Sequence, residues 1–298
     1  MTKEQFLEQV TDQIRAECAV SDLDVGCGIF MKNNDTMKHG IVLKRRDEFI
    51  SPTIYVDDFY QDFLRKKKTM KEVAEEVWER LAEVEEHARQ YRDFSAEFED
   101  CRRQIIYRLI SLDRNKQFLQ SVPYLPFLNL AIVFCIVCDA SEDGLETILI
   151  TDEVIERWQT STKELVRLAE ENTPRILPAT VDSLTTVLLR YIGLPEEETS
   201  GKKSRLPMFL LSNQSGVNGA SVLLYPDILA GLADQCDSDL FILPSSIHEL
   251  IVIPAGRKDR QGKLSEMVED INKNHVNREE VLSDTAYFYD RKKRKIIL

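Results

Sequence analysis

The sequence has no long apolar run. Its longest, residues 128–138, includes Asn129 and falls short of the ~18 residues that a membrane-spanning helix needs. Residues 1–10 alternate charged and apolar side chains at helical spacing and contain no small-residue cleavage site, unlike a signal peptide. We therefore expect a cytoplasmic protein that does not enter the membrane.

Basic charge is also scarce, with 39 Lys and Arg against 51 Asp and Glu, and the formal net charge is −12. A protein that neutralises phosphates needs a basic face, and the overall field of this chain repels polyanions. Two basic clusters, residues 65–68 and 291–295, run against the trend. Such runs are usually solvated turns, so nucleic acid is an unlikely partner.

Cysteine is sparse and scattered. One pair forms a C-x-x-C motif, Cys135 and Cys138, but it ends an apolar run instead of opening a helix, where a redox-active thiol would lie. No second C-x-x-C completes a zinc site. We predict that Cys135 and Cys138 pack as small apolar residues in a buried element, and we expect no metal site. We predict reduced thiols at all six positions: Cys18, Cys27, Cys101, Cys135, Cys138 and Cys236.

Recognisable catalytic and cofactor motifs are missing as well. The chain has only 4 histidines and lacks the G-x-S-x-G elbow of serine hydrolases. The segment 26–28, Gly-Cys-Gly, lacks the further glycine and the following helix of a phosphate-binding loop. We expect no cofactor.

The densest set of chemically capable side chains lies in a short link, residues 244–249, between two predicted strands. Ser245, Ser246, His248 and Glu249 come close together there. Serines after a proline are good turn formers and a histidine can cap the next element, so the structural interpretation is favoured. The alternative is a hydrolase-like enzyme that uses this link together with a neighbouring polar turn, which offers Asn213 and Asn218 as ligand-binding candidates.

Apolar spacing predicts an N-terminal region, residues 1–122, of α+β type. Thr2 and Gln5 suggest a capping box at the start of a helix over 5–18. A hairpin with a bulge or bend at Gly26 and Gly28 should follow, then a helix capped by Asp57 and Asp58. The last two helices should form an αα-hairpin, over residues 69–94 and 98–112.

The remaining region, residues 123–298, should hold a mixed sheet with antiparallel parts, packed by helices. Residues 130–138 lack alternation and should form a central buried strand. Residues 208–211, 220–224, 240–243 and 250–253 should be further strands. Residues 194–206, rich in charge, Gly and Ser, should form a flexible loop.

Helices are also predicted over residues 152–158, from Ser161 or Thr162 to just before Thr173-Pro174, and over 181–191. The chain should end with a helix over 264–275 and a terminal hairpin around the basic turn. The predicted class for the whole chain is α+β.

Several segments occur in an order that resembles an uncharacterised bacterial family, a domain of unknown function of similar length, and the resemblance covers nearly the whole chain. These segments are Ile50-Ser-Pro-Thr-Ile-Tyr, Arg108-Leu-Ile followed by Arg114-Asn115, Ala169-Glu-Glu-Asn-Thr-Pro-Arg, Leu243-Pro-Ser-Ser-Ile-His-Glu and Tyr287-Phe-Tyr-Asp-Arg. The second half also resembles another uncharacterised bacterial family, in features that include Trp158 and Leu223-Leu-Tyr-Pro-Asp. The resemblance implies a two-part architecture and a bacterial origin, and it implies no reaction.

Two functional hypotheses follow. The favoured one is a non-catalytic binding or regulatory protein, because catalytic motifs are missing and residues 69–94 are highly charged. Its partner is unknown, with another protein as one candidate. The second is an enzyme of unrecognised type built on Ser245, Ser246, His248 and Glu249, and a concave pocket joining His248 to Ser245 or Asn213 would favour it.

Overall fold

A computed structural model of the chain describes residues 1–18, 24–44, 51–88, 97–141, 144–191, 207–256 and 261–298. Contacts divide the chain into two compact units, Met1–Ala96 and Glu97–Leu298. The division therefore falls after residue 96, whereas the sequence placed it after 122. A division at 122 would separate two strands that pair with the same central strand, as described below.

The first unit packs three helices against a three-stranded antiparallel sheet of strand order β1-β2-β3. Its elements are α1 (Lys3–Cys18), β1 (Asp24–Lys32), β2 (Thr36–Lys44), β3 (Thr53–Tyr55), α2 (Asp57–Leu64) and α3 (Met70–Ala88). The apolar stripes of α1 and α3 meet in one core, in which Phe6, Val10, Val77 and Leu81 are fully buried. Burial of these stripes is the main favourable term in the folding of this unit.

In the first unit, the sequence correctly predicts how helix α1 begins. The amide of Thr2 donates to Gln5 Oε1 at 3.0 Å, and the amide of Gln5 donates to Thr2 Oγ1 at 3.2 Å, so the predicted capping box is confirmed. The predicted bulge at Gly26 and Gly28 is wrong, because β1 and β2 pair in unbroken register. The glycine that matters for packing is Gly40, where a Cβ would come within 2.9 Å of the Phe30 ring.

The predicted cap of α2 is also wrong. The N-cap position is Val56, and no side chain caps the helix. Asp57 turns instead toward the Lys3 ammonium, which donates a charge-assisted hydrogen bond, and toward the backbone amide of His39 in β2.

The second unit contains a four-stranded sheet around one long strand. Its strands are β4 (Ile105–Ser111), β5 (Tyr124–Phe127), β6 (Leu130–Ser141) and β7 (Gly144–Leu149). Strand β6 pairs with all three others, and Phe134 and Ile136 are fully buried, so the predicted central buried strand is confirmed.

The helix predicted over 98–112 is wrong, and the αα-hairpin with it. Only α4 (Phe98–Cys101) is helical, and the chain then enters β4. The apolar positions 101, 105, 109 and 112 have helical spacing, but almost every residue of β4 is buried. A fully buried strand has a continuous apolar sequence, so the same residues suit either a helix or a strand. Pairing with β6 selects the strand.

A second, six-stranded sheet completes this unit, in the order β13-β12-β10-β11-β9-β8. Its strands are β8 (Ala179–Ser183), β9 (Phe209–Asn213), β10 (Leu240–Leu243), β11 (Leu250–Pro254), β12 (Tyr287–Asp290) and β13 (Lys295–Ile297). Every strand pair in the described ranges is antiparallel, so the class is α+β as predicted, while the mixed sheet is wrong. Short connections join β10 to β11 and β12 to β13, as antiparallel neighbours allow.

The helices of the second unit are α5 (Asp152–Trp158), α6 (Thr162–Ile176), α7 (Leu184–Tyr191), α8 (Ile228–Cys236) and α9 (Gln261–His275). Ser161 caps α6 as predicted. The helix does not stop before Pro174 but continues for its last turn, where the Thr173 hydroxyl donates to the Ala169 carbonyl at 2.6 Å.

Two further predictions in the second unit are corrected. Residues 181–183 belong to strand β8, so the amphipathic helix begins only at Leu184. Residues 219–224 form a buried 3-10 turn instead of a strand. The loop predicted to be flexible, 194–206, lies outside the described residues. None of the helices in the described part of the chain combines the length and apolar content needed to cross a bilayer.

Candidate functional site

The link of residues 244–249 is tied to a neighbouring segment by backbone hydrogen bonds. The amide of Ile247 donates to the Glu280 carbonyl at 2.8 Å, and the amide of Leu282 donates to the Ser245 carbonyl at 3.1 Å. Ser246 and Val281 form an isolated antiparallel bridge between these bonds. The link is therefore a short extension of the sheet, with its backbone fixed on one side.

Two polar side chains of the link, those of Ser246 and His248, also bind backbone groups, whereas Ser245 is half-buried and Glu249 is exposed. Ser246 Oγ accepts from the amide of His248 at 3.0 Å, and Ser212 Oγ donates to the His248 carbonyl at 2.8 Å. The His248 ring accepts, through Nδ1, a 3.3 Å hydrogen bond from the amide of Asn218. Because a backbone N–H can only donate, the ring proton of neutral His248 lies on Nε2.

The neighbouring polar turn is closed by its own side chains. Asn213 Nδ2 donates to the Val217 carbonyl at 2.9 Å, and Ser215 Oγ donates to Asn213 Oδ1 at 2.8 Å. Asn218 follows in the left-handed conformation, with φ of 53°. This conformation suits asparagine and aims the Asn218 amide at the His248 ring.

Gly219 fixes how closely the turn and the link approach each other. A Cβ at this position would lie 2.0 Å from Ser212 Oγ and 2.3 Å from the His248 carbonyl oxygen. The structure thus brings Asn213, Asn218, Ser246 and His248 together. In the described part of the chain, no hydrogen bond joins the His248 ring to a serine hydroxyl or a carboxylate.

The cysteines of the C-x-x-C motif lie in the central strand. Burial raises the pKa of Cys135, and burial followed by the nearby carboxylate of Glu146 raises the pKa of Cys138 to about 11. A raised pKa disfavours the reactive thiolate. All five cysteines with described side chains are free thiols, and the described stretches contain no metal-binding group of three or more His, Cys, Asp or Glu side chains.

A pair of polar residues in the first unit, the buried His39 and the half-buried Asp57, was missed by the sequence reasoning. Asp57 accepts from Lys3 Nζ at 2.8 Å and from the amide of His39 at 2.9 Å. Burial acts to raise the pKa of Asp57, but these hydrogen bonds outweigh it and hold the pKa below its usual range. His39 Nδ1 lies 3.3 Å from Asp57 Oδ1, so the pair ties α1, β2 and α2 together.

An open groove of about 450 Å³ lies in the second unit, and neither Asn213, Asn218 nor any residue of the link is in its lining. Three segments line it: the turn between β5 and β6, the start of α8 with the residues before it, and the hairpin of β12 and β13. The walls are Phe127, Leu128, Leu223, Leu224, Tyr225, Asp227, Leu229, Ala230, Tyr289, Arg294, Lys295 and Ile296. The volume is within the range of small-molecule sites.

Each of the three segments enters the groove at a residue with positive φ. Leu128 has φ of 55°, Asp227 of 62° and Arg294 of 49°. The left-handed conformation is costly for a bulky residue such as leucine, and such strain is often kept where a binding surface needs it.

Two tyrosines line the groove, and they differ in whether the hydroxyl group is hydrogen-bonded within the protein. The Tyr225 hydroxyl donates to the Leu177 carbonyl at 2.7 Å, so it fixes the groove wall. The Tyr289 side chain is also buried, with the residue only 5% exposed, but its hydroxyl has no hydrogen-bond partner among the described residues. The hydroxyl oxygen is not one of the fully buried polar atoms that lack a partner in the described chain, so it reaches the open groove and offers an unused donor there.

Sequence reasoning missed the groove because most of its wall residues are aliphatic or aromatic, and such residues are typical of a protein core. The signal that was available was the recurrence of its segments, Leu223-Leu-Tyr-Pro-Asp and Tyr287-Phe-Tyr-Asp-Arg, among the features of the family resemblance.

Comparison with known proteins identifies a family whose description assigns no function. No curated protein and no solved structure matches the chain. A family model described as a family of unknown function, DUF5688, matches residues 3–291. The match covers nearly the whole chain, and the protein therefore belongs to the DUF5688 family.

Proposed function

We propose that the protein is a non-catalytic binding protein whose ligand occupies the groove of the second unit. The observation that carries this proposal is Tyr289, a residue only 5% exposed that lines the groove and whose hydroxyl has no hydrogen-bond partner among the described residues. An acceptor on a ligand can take up this donor, and such a hydrogen bond contributes about 0.5–1.5 kcal/mol net. We place the protein in the bacterial cytoplasm as part of the same proposal.

The polar groups of the link support a non-catalytic role. A serine hydrolase needs a base in hydrogen-bond reach of the nucleophile and an oriented acid behind that base. Here the Nδ1 atom of His248, where such an acid would bind, accepts from a backbone amide instead. Ser246 Oγ likewise holds the link through the amide of His248.

Binding in the groove is tested by amide chemical-shift mapping with cyclohexanol, a small neutral probe. We expect concentration-dependent shifts at residues 127–128 and 223–230 and none at 245–249. Ala230→Trp should fill the groove and abolish the shifts. Gly231→Trp is the matched control, because Gly231 is the next residue of α8 and a side chain there meets open space. Shifts confined to 213–219 and 245–249 would reject the groove.

The alternative, a hydrolase-like enzyme at Ser245, Ser246, His248 and Glu249, is tested with a fluorophosphonate probe, which labels activated serines. We expect no covalent label on either serine by mass spectrometry. Labelling that disappears in His248→Ala would establish the enzyme and overturn the non-catalytic proposal.

A further inference from the structure

The rim of the groove carries an excess of positive charge in a chain of net charge −12. Arg294 and Lys295 line it, against the single carboxylate of Asp227. This local excess of positive charge points to a negatively charged ligand. The groove rim would attract such a ligand, whereas the net charge of the rest of the molecule would repel it.

The two cations at the rim, Arg294 and Lys295, form weaker ion pairs, or none, compared with Arg291 and Lys293 in the same basic turn. Arg291 forms ion pairs with Asp234 and Asp237, and Lys293 lies 3.4 Å from Asp290. Arg294 Nη2 is 4.0 Å from its nearest carboxylate, on Asp234, which is the limit of an ion pair. Lys295 has no ion-pair partner among the described residues.

The start of helix α8 adds to the positive field. Leu229 and Ala230, in its first turn, line the groove. The N-cap residue, Asp227, makes no capping hydrogen bond with its side chain. First-turn amides carry the positive end of the helix dipole and favour an anion.

Tyr289 supplies a neutral donor beside these charges. Burial raises the pKa of its hydroxyl, the charge of Arg294 opposes this rise, and the carboxylates of Asp234 and Asp227 add to it. Because the pKa is raised, the hydroxyl keeps its proton at neutral pH and can donate to an anionic oxygen. The residue as a whole is only 5% exposed, and its hydroxyl, unpartnered in the described chain, is accessible from the groove.

We propose that the groove binds a small organic carboxylate with an apolar body. The carboxylate would lie against Arg294, Lys295 and the Tyr289 hydroxyl, and the body against Leu128, Leu223 and Leu229. This inference rests on the proposed function, since it names the chemical class of the ligand for the same groove.

Calorimetric titration of the full chain with octanoate, octanol and octylammonium tests the inference, since the three probes share one alkyl body. Octanoate should bind at least about tenfold more tightly than octanol, and octylammonium more weakly than either. Without cations to receive it, a carboxylate would lose to the alcohol because its desolvation is more costly. Added salt should weaken octanoate binding and leave octanol binding unchanged.

Paired variants assign the effect to the rim. The double change Arg294→Gln and Lys295→Gln should remove the advantage of octanoate and keep the affinity for octanol. The control is Lys292→Gln and Lys293→Gln, in the same turn but outside the groove lining, which should keep the full advantage. Tyr289→Phe should weaken octanoate binding severalfold, consistent with the loss of one charge-assisted hydrogen bond.

The outcomes separate the two proposals. Equal binding of octanoate and octanol, both lost in Ala230→Trp, would overturn the carboxylate and keep the groove as the binding site. Preference for octylammonium would also overturn it, since Asp227 would then dominate the rim. Failure of all three probes, with no cyclohexanol shifts at the groove, would overturn both proposals.

Discussion

The link of residues 244–249 and the groove of the second unit differ in what their polar groups already bind. At the link, Ser246 Oγ and His248 Nδ1 each accept a backbone amide. At the groove, the Tyr289 hydroxyl and the Lys295 ammonium have no such partner among the described residues. Chemically capable side chains therefore do not mark a site by themselves. Unused hydrogen-bonding capacity beside a concavity is the better indicator.

The comparison predicts two different responses to mutation. Removing a group that satisfies a buried backbone amide leaves that amide unpaired and lowers the free energy of unfolding. Removing a group that has no protein partner changes stability little and should change ligand affinity instead. Residues of the link should therefore control stability, and residues of the groove rim should control binding.

The largest effect is expected for Gly219→Ala, where the turn and the link touch. The new Cβ would overlap Ser212 Oγ and the backbone oxygen of His248, and the backbone cannot give way cheaply. We expect a loss of about 3 kcal/mol or more in the free energy of unfolding, measured by urea denaturation.

Gly231→Ala is the control for that change. Gly231 lies within α8 and a Cβ there meets open space, so alanine should stabilise the protein by about 0.5–1 kcal/mol. Equal stability of the Gly219→Ala protein and the wild type would show that the turn and the link are not tightly packed.

A smaller effect is expected for His248→Ala. The substitution removes the acceptor of the Asn218 amide and should cost about 1–3 kcal/mol in urea denaturation. Glu249→Ala is the matched control, since Glu249 is the exposed neighbour and should change stability by less than about 0.5 kcal/mol. Comparable losses in both variants would contradict a specific bracing role for the imidazole.

The smallest effects separate the two tyrosines of the groove. Tyr225→Phe removes a buried 2.7 Å hydrogen bond to the Leu177 carbonyl and should cost about 1 kcal/mol of stability. Tyr289→Phe removes a hydroxyl with no partner in the described chain and should change stability by less than about 0.5 kcal/mol. Thermal unfolding of both variants beside the wild type measures the difference. A larger loss for Tyr289→Phe would mean that its hydroxyl is already satisfied within the protein.

Elements with strong local signals could be predicted from the sequence. The capping box of Thr2 and Gln5, the Ser161 cap, and the bounds of α5 and β10 follow from side chains within a few residues of one another. Such signals act through hydrogen bonds and dihedral preferences that the chain carries wherever it folds. The α+β class followed from the same alternation of patterns.

Elements whose signals fit two structures could not be predicted. The apolar spacing of β4 also suits a helix, and only pairing with β6 selects the strand. The apolar residues 220–224 also suit a strand. They form a 3-10 turn because Gly219 packs beneath Ser212 and the His248 carbonyl, a contact between residues distant in sequence.

The sequence by itself determined the caps of α1 and α6, the central buried strand and the absence of known catalytic motifs, since each depends on neighbouring residues or on the apolar run of one segment. Tertiary structure alone decided which polar groups were left unused. Asn218 donates a hydrogen bond to His248, and Leu177 accepts one from Tyr225, although each pair is far apart in sequence. No described residue forms a hydrogen bond with the Tyr289 hydroxyl. Hydrogen-bond satisfaction is a property of three-dimensional neighbours, so the groove became visible only in the folded chain.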